Sequence, residues 1–251
     1  MAGLEAVRSA VQAGLVRRAS DGAGTGLGVD RVLPVLPELS RVLPGRGLRR
    51  GSTIAVATGR SAWPAGGSSL VLALLAEASR SGSWCAVVGV PTFGAVAATE
   101  VGIALDRLVL VPNPGPEWPT VVAALIDGVD VVVTSVPTAI SPPIASRLAA
   151  RVRQRGSVLV PYGRWDGADV TLRVVRGMWE GLGQGRGRLR CRQLEIVVQG
   201  RGAAVRPKEI TVWMPSASGG FGGAGTPMSG RSGLGAARPA LTLVTAVDEA
   251  V

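Results

Sequence analysis

Val129-Asp130-Val131-Val132-Val133-Thr134-Ser135-Val136 holds five valines in eight residues, three of them consecutive. A strand of this composition has no polar face to offer water, so both of its faces must be covered, as happens inside a parallel sheet. Reading outward, Thr53–Thr58, Cys85–Val90, Leu108–Val111 and Ser157–Pro161 are further strands, with Asp130–Val136 the fourth of five. Between them, Ser68–Ser79, Ala95–Leu105, Pro119–Asp127 and Pro143–Gln154 read as helices; Leu70, Leu74 and Leu75 share one helical face. Strand alternating with helix requires crossover connections, which predicts an α/β fold with a mostly parallel sheet flanked by helices.

After residue 161 the rhythm changes. Val170–Arg176, Leu189–Val198 and Glu209–Met214 are strand-like and are separated by glycine-rich turns with no helix, which predicts an antiparallel C-terminal extension. Residues 215–239 are rich in Gly and Ser and lack periodicity, so residues 215–251 are expected to form a disordered tail, whose apolar end at Leu241–Val247 suits a partner-binding peptide or a frayed terminus. At the other end, Leu4, Val7, Val11 and Leu15 make a short amphipathic helix followed by the flexible link SDGAGTGLG at 20–28. The expected organisation is an N-terminal helix and linker over 1–29, an α/β domain over 30–214, and the tail over 215–251.

Composition narrows the chemistry. The 251 residues are 47% apolar, enough for a real core, and Glu77, Asp127 and Asp130 interrupt the most hydrophobic stretches, which predicts no membrane span. Two distant cysteines, Cys85 and Cys191, and no recognisable leader suggest a reducing cytoplasm. There is no histidine, which excludes Ser-His-Asp and Cys-His catalysis and most transition-metal sites, so no metal is expected. The net charge of +10 favours acidic partners, nucleic acid foremost, although an arginine-rich codon bias produces the same excess. Lys208 is the only lysine.

That single lysine decides the reading of Ala55–Leu75. Here a strand ends at Thr58-Gly59, passes through a loop and enters a helix at Gly66-Gly67-Ser68-Ser69. Loops of this kind cradle phosphates with backbone N–H groups and a helix N-terminus, with a lysine on the outer phosphates and a hydroxyl on Mg²⁺. Gly67 stands where the lysine belongs, the loop is longer than the standard four residues, and it carries Trp63-Pro64. The loop formed by Gly59, Gly66, Gly67, Ser68 and Ser69 therefore reads as a degenerate phosphate loop, or as a glycine-rich turn that packs strand on helix. Weak ATP binding through backbone donors and Ser68 or Ser69 stays open; no other cofactor is expected.

The chain resembles the RecA recombinase superfamily, and within it the ImuA-type accessory proteins of bacterial damage-induced mutagenesis. Leu43-Pro44-Gly45-Arg46-Gly47-Leu48-Arg49-Arg50-Gly51 is similar to the family's "GGLPRG" approach to its first core strand. Val101–Leu108 is similar to "LGVDLDNL", Val129–Val136 to "VDLVVVDSV", and Val197-Val198-Gln199-Gly200-Arg201 to "VVKNK", within a resemblance spanning roughly 33–214. By this resemblance Thr134 replaces the Mg²⁺-positioning acid and Val90 the catalytic glutamate. With the lysine also gone, three supports of phosphoryl transfer are lost together, which predicts no useful ATP hydrolysis.

The resemblance implies a non-catalytic role in translesion synthesis after SOS induction. The partners implied are an inactive Y-family polymerase homologue and an error-prone replicative-type polymerase, with single-stranded DNA and self-association as further contacts, in the cytoplasm at the nucleoid. Competing readings are a DNA-stimulated ATPase and a SulA-type division inhibitor, which the ImuA group also resembles. Two further features are candidate DNA or partner contacts. Arg186, Arg188, Arg190 and Arg192 alternate, which predicts one basic face of an extended strand, or a charged edge protected from aggregation. Arg201 stands where RecA-type filaments place a lysine that reaches the neighbouring subunit. Trp84, Trp165, Trp179 and Trp213 lie beside strands and are expected to fill core, whereas Trp63 and Trp118 lie in loops.

Overall fold

The computed structural model describes residues 31–57, 66–136, 140–183, 186–202, 205–216 and 220–223. The expected N-terminal helix, the link at 20–28 and residues 224–251 of the expected tail lie outside them. In chain order the elements are β1 (Val32–Leu33), α1 (Pro37–Ser40), β2 (Leu48–Arg49), β3 (Ile54–Ala57), α2 (Gly67–Arg80), β4 (Cys85–Val88), α3 (Ala95–Glu100), β5 (Leu108–Val111), α4 (Trp118–Gly128), β6 (Val131–Ser135), α5 (Pro142–Arg155), β7 (Val158–Tyr162), β8 (Val170–Gly183), β9 (Arg186–Gly200), β10 (Lys208–Trp213) and β11 (Gly222–Gly223). β1 and β2 form a small antiparallel pair, and the other nine strands make one sheet in the order β11-β10-β9-β8-β3-β7-β6-β4-β5.

From β8 through β3 to β5 all neighbours run parallel. The alternation of side chains divides their residues between two cores. Val56, Val87, Val133 and Val160 face α1, α2 and α3, whereas Ala55, Val88, Val132 and Leu159 face α4 and α5. A sheet covered by helices on both faces is the three-layer solution for strands with no polar side, and β6 is buried at every position from Val131 to Thr134. α5 begins at Pro142 and ends at Gly156 with φ +69°, the proline-first, glycine-last arrangement that suits each terminus.

One helix falls short of its sequence pattern. The periodicity over Ala95–Leu105 yields only six residues of α3, because Gly102 turns to φ +87° and the Ile103 N–H donates back to the Ala98 carbonyl at 2.9 Å. Leu105–Arg107 then forms a separate 3-10 turn.

The N-terminal rim of the parallel strands is fixed by carboxylates. Asp130 is buried; its Oδ2 accepts the Trp84 N–H at 2.9 Å, and its Oδ1 lies 2.7 Å from Arg50 Nη2. Asp169 Oδ2 accepts the Thr53 N–H at 2.8 Å, which ties the start of β3 to the start of β8.

The antiparallel side differs in reach. β8 and β9 have 14 and 15 residues, yet β3 covers β8 only from Val170 to Arg173 and β10 covers β9 only from Gln193 to Val198. The strands therefore run on as a two-stranded arm that includes the glycine-rich stretch expected to be a turn. Register shifts at Val174/Arg176 and Glu180/Leu182 break its pairing, which bends such ribbons away from the sheet plane. The tail also starts later than expected. β11 pairs with β10 through Val212↔Gly223 and Trp213↔Gly222, and Phe221 packs against the core, so the described residues to 223 belong to the folded unit rather than to a disordered segment beginning at 215.

Candidate functional site

β3 is followed by residues 58–65, so Gly59 lies outside the described residues. The described part of the loop begins at Gly66, the N-cap of α2, with φ +117°. That backbone favours glycine, and a side chain would meet Leu194 besides: an added Cβ would lie 2.7 Å from Leu194 Cδ2 and 3.5 Å from Arg192 Cζ. β9 thus packs directly on the turn into α2. Gly67 is buried, Ser68 is exposed and Ser69 is half-buried. No side chain caps the helix; the first intrahelical donor is Leu70 N–H to Gly66 O at 2.9 Å, which leaves the N–H groups of Gly67, Ser68 and Ser69 as the free donors of the first turn.

Among the described residues a positive charge reaches this turn from the antiparallel extension. Arg192 is only 6% exposed, and its Nε has no hydrogen-bond partner. Its guanidinium lies over Trp179, 5.2 Å from the ring centre, with Trp179 directly opposite in the β8–β9 register. Burial lowers its pKa, because a desolvated cation is disfavoured. Among the described residues no carboxylate forms an ion pair with it. Little in the sequence signals this meeting: Trp179 and Arg192 are thirteen residues apart on different strands, and the irregular register hides which residues face each other.

The other candidates are dispersed. Thr134 is buried in β6 between Val88 and Pro161, with its hydroxyl 3.2 Å from the Ser135 carbonyl. Val90 is a partly buried hydrophobe against the larger core. Neither position holds a proton-transfer group. The arginine run is not one uniform basic face. Arg190 is exposed and Arg192 is buried, because the register slips between Cys191 and Gly187; Arg186 and Arg188 lie on β9, and their side chains fall outside the described set. Arg201 sits past the other end of β9, nine residues from Arg192 and so roughly 30 Å along an extended chain, where its N–H donates to the Asp169 carbonyl at 2.9 Å. The structure therefore separates Arg201 from the rest of the run.

Chemically, the turn into α2 combines free N–H donors and a nearby guanidinium, an arrangement that attracts an anion. It offers no lysine, and among the described residues no cluster of three His, Cys, Asp or Glu side chains is placed to hold a metal ion. Both cysteines are poor nucleophiles. Burial, with Asp130 adding to it, pushes the Cys85 thiol up to about 12, and burial followed by Glu180 raises Cys191. No helix among the described residues is long and apolar enough to cross a membrane.

Comparison with known proteins places this arrangement. The chain is 38% identical over 109 residues to an uncharacterized protein of Mycobacterium tuberculosis, Rv3395c, a match that covers 43% of this chain and 53% of that protein. The chain thus spans about half the length of the curated relative it matches. A family described as the MT3502 N-terminal domain matches residues 41–167, from the approach to β2 to just before β8, and so takes in the parallel sheet and its helices but not the antiparallel arm. Since that match covers just over half of the sequence, the chain belongs to the MT3502 N-terminal domain family.

Proposed function

We propose that the protein is a non-catalytic, RecA-like accessory subunit of a damage-induced translesion-synthesis complex. It acts by contact with an inactive Y-family polymerase homologue and an error-prone replicative-type polymerase. The reading rests on the motif resemblance along residues 33–214. It is supported by one observation above all: β3 and α2 flank the glycine-rich segment as a strand and a helix would flank a phosphate loop, while the positions expected by the resemblance to do chemistry carry no lysine or carboxylate. Gly67 stands for the lysine, Thr134 for the acid and Val90 for the glutamate, and Leu194 closes over Gly66. Without a cation on the outer phosphates, an acid to position Mg²⁺ and a base, transfer loses several orders of magnitude in rate.

A docking role finds support in the arm. Val175, Met178, Trp179 and Leu189 are each about half exposed, an unusual concentration of large apolar side chains on a strand pair without neighbours. The measurement that tests the non-catalytic half is ATP turnover with Mg²⁺, with and without single-stranded DNA, beside a Gly67→Lys variant. Turnover at background is expected in both proteins, since a restored lysine still lacks its carboxylates. DNA-stimulated hydrolysis by the wild type would instead make it a motor-type ATPase. Copurification with the polymerase homologue tests the other half: Met178→Asp should lose it, and capture of the tubulin-like division protein in its place would favour the division-inhibitor reading.

A further inference from the structure

Two cavities of about 510 and 540 Å³ share lining residues: the first runs along α5 from Pro142 to Arg153 beside the β7–β8 connection, and the second opens at the N-terminal rim of the sheet, the opposite edge from the turn into α2. Arg153, in the last turn of α5, and Arg201, just past β9, line both of them and so stand where the two meet. Arg164 lines the first cavity, and Arg49 and Arg50 line the second. The acids at this rim are already engaged. Asp166 lies 3.4 Å from Arg164, Asp169 accepts the Thr53 N–H, and Asp130 beneath the rim pairs with Arg50. Arg49, Arg153 and Arg201 have no carboxylate within ion-pair distance among the described residues. Five arginines, Arg49, Arg50, Arg153, Arg164 and Arg201, therefore line the two cavities against two carboxylates, Asp166 and Asp169, which leaves the trough with an excess of positive charge.

We infer that this trough binds a single nucleic-acid strand through its phosphates, with Arg153 and Arg201 as the central contacts. The inference rests on the accessory reading only in taking DNA as the working surroundings. The chemistry is that of a fork of N–H donors that matches phosphate oxygens and keeps its charge at any physiological pH. A small phosphate would fill only one cavity, whereas a strand with regularly spaced charges engages both across the shared arginines. A duplex is a rigid convex cylinder and does not enter a concave trough of this size, so the occupant is one strand.

The test is anisotropy of a fluorescently labelled oligo(dT) of about 20 nucleotides titrated with the full chain over a range of salt. The variants are Arg153→Ala, Arg201→Ala, the double substitution, and Arg147→Ala as an equal-charge control on the same helix but outside both cavities. The double variant is expected to weaken binding at least tenfold and to lower the slope of log affinity against log salt by about 1.4, two contacts at about 0.7 each for a single strand. Arg147→Ala should stay within about twofold of wild type, and unchanged thermal midpoints exclude misfolding as the cause. The inference is overturned if the double variant binds like Arg147→Ala, if wild type does not bind the oligonucleotide, or if poly-glutamate or a duplex competes as well as the unlabelled strand. Retained copurification with the polymerase homologue in any of those cases would leave the accessory role standing and reject only this surface.

Discussion

On one side of β3 the sheet continues into β7, β6, β4 and β5, four or five residues each and buried on both faces; on the other it passes into β8 and β9, three times as long and covered on one face at most. In the parallel half every side chain of a strand such as β6 has a helix above or below it. In the antiparallel half Leu172, Leu194, Ile196 and Val198 reach the core, while Arg173 is exposed and Glu195 and Val197 are half-exposed. The contrast follows from the connections: those that link β3, β4, β5, β6 and β7 each carry a helix that covers the sheet, whereas the connection from β7 into β8 and the hairpin pairing of β8 with β9 carry none. It also divides the labour. The covered half is the part matched by the family, and the uncovered half supplies the exposed arm and Arg192, which reaches the turn into α2.

The contrast can be sharpened by substitution. The largest effect is expected from Leu159→Ala, at a position in β7 that is fully buried. Chemical denaturation should show a loss of about 2–5 kcal/mol, the range for a buried leucine whose cavity does not collapse. Next comes Asp130→Ala, expected to cost about 3 kcal/mol in the same measurement, because the Trp84 N–H loses its acceptor and the Arg50 guanidinium its counter-charge.

A third effect depends on pH. The Cys85 thiol ionises at its ordinary value of 9.0 when unfolded but at about 12 when folded. Between those values the unfolded chain has released a proton that the folded chain retains, so stability falls as pH rises, by at most about 1.4 kcal/mol per pH unit. Cys85→Ala should flatten that part of the stability curve, and iodoacetamide should label wild-type Cys85 only after unfolding. The smallest effect belongs to the arm. Val175→Ser should change stability by no more than about 0.5 kcal/mol. If it instead destabilised the fold as much as Leu159→Ala, the two halves would not differ as described.

Much of the architecture was legible because its signals are local. A valine-rich strand, leucines at helical spacing, and glycine or proline at helix ends each act within a few residues, and they signal the identity and order of the strands and helices from β3 to β7. They also misled where a local signal was outweighed. The helical spacing over Ala95–Leu105 gave way to the left-handed turn at Gly102, and Gly177, Gly183 and Gly187 read as turn although pairing between β8 and β9 carries them as strand. The segment from 215, read as tail, was drawn into the sheet by pairing with β10 and by packing of Phe221.

The sequence by itself settled the parallel α/β core, the antiparallel extension, the lack of histidine and the single lysine at Lys208, because these depend on residue type and short-range periodicity. Tertiary structure alone decided the order of strands in the sheet, the burial of Arg192 against Gly66 and Trp179, and the placement of Arg201 beside Arg153 at the opposite rim. Each of these brings together residues far apart in the chain through strand register, and register shifts of one or two residues, which leave no trace in composition, determine which side chains meet.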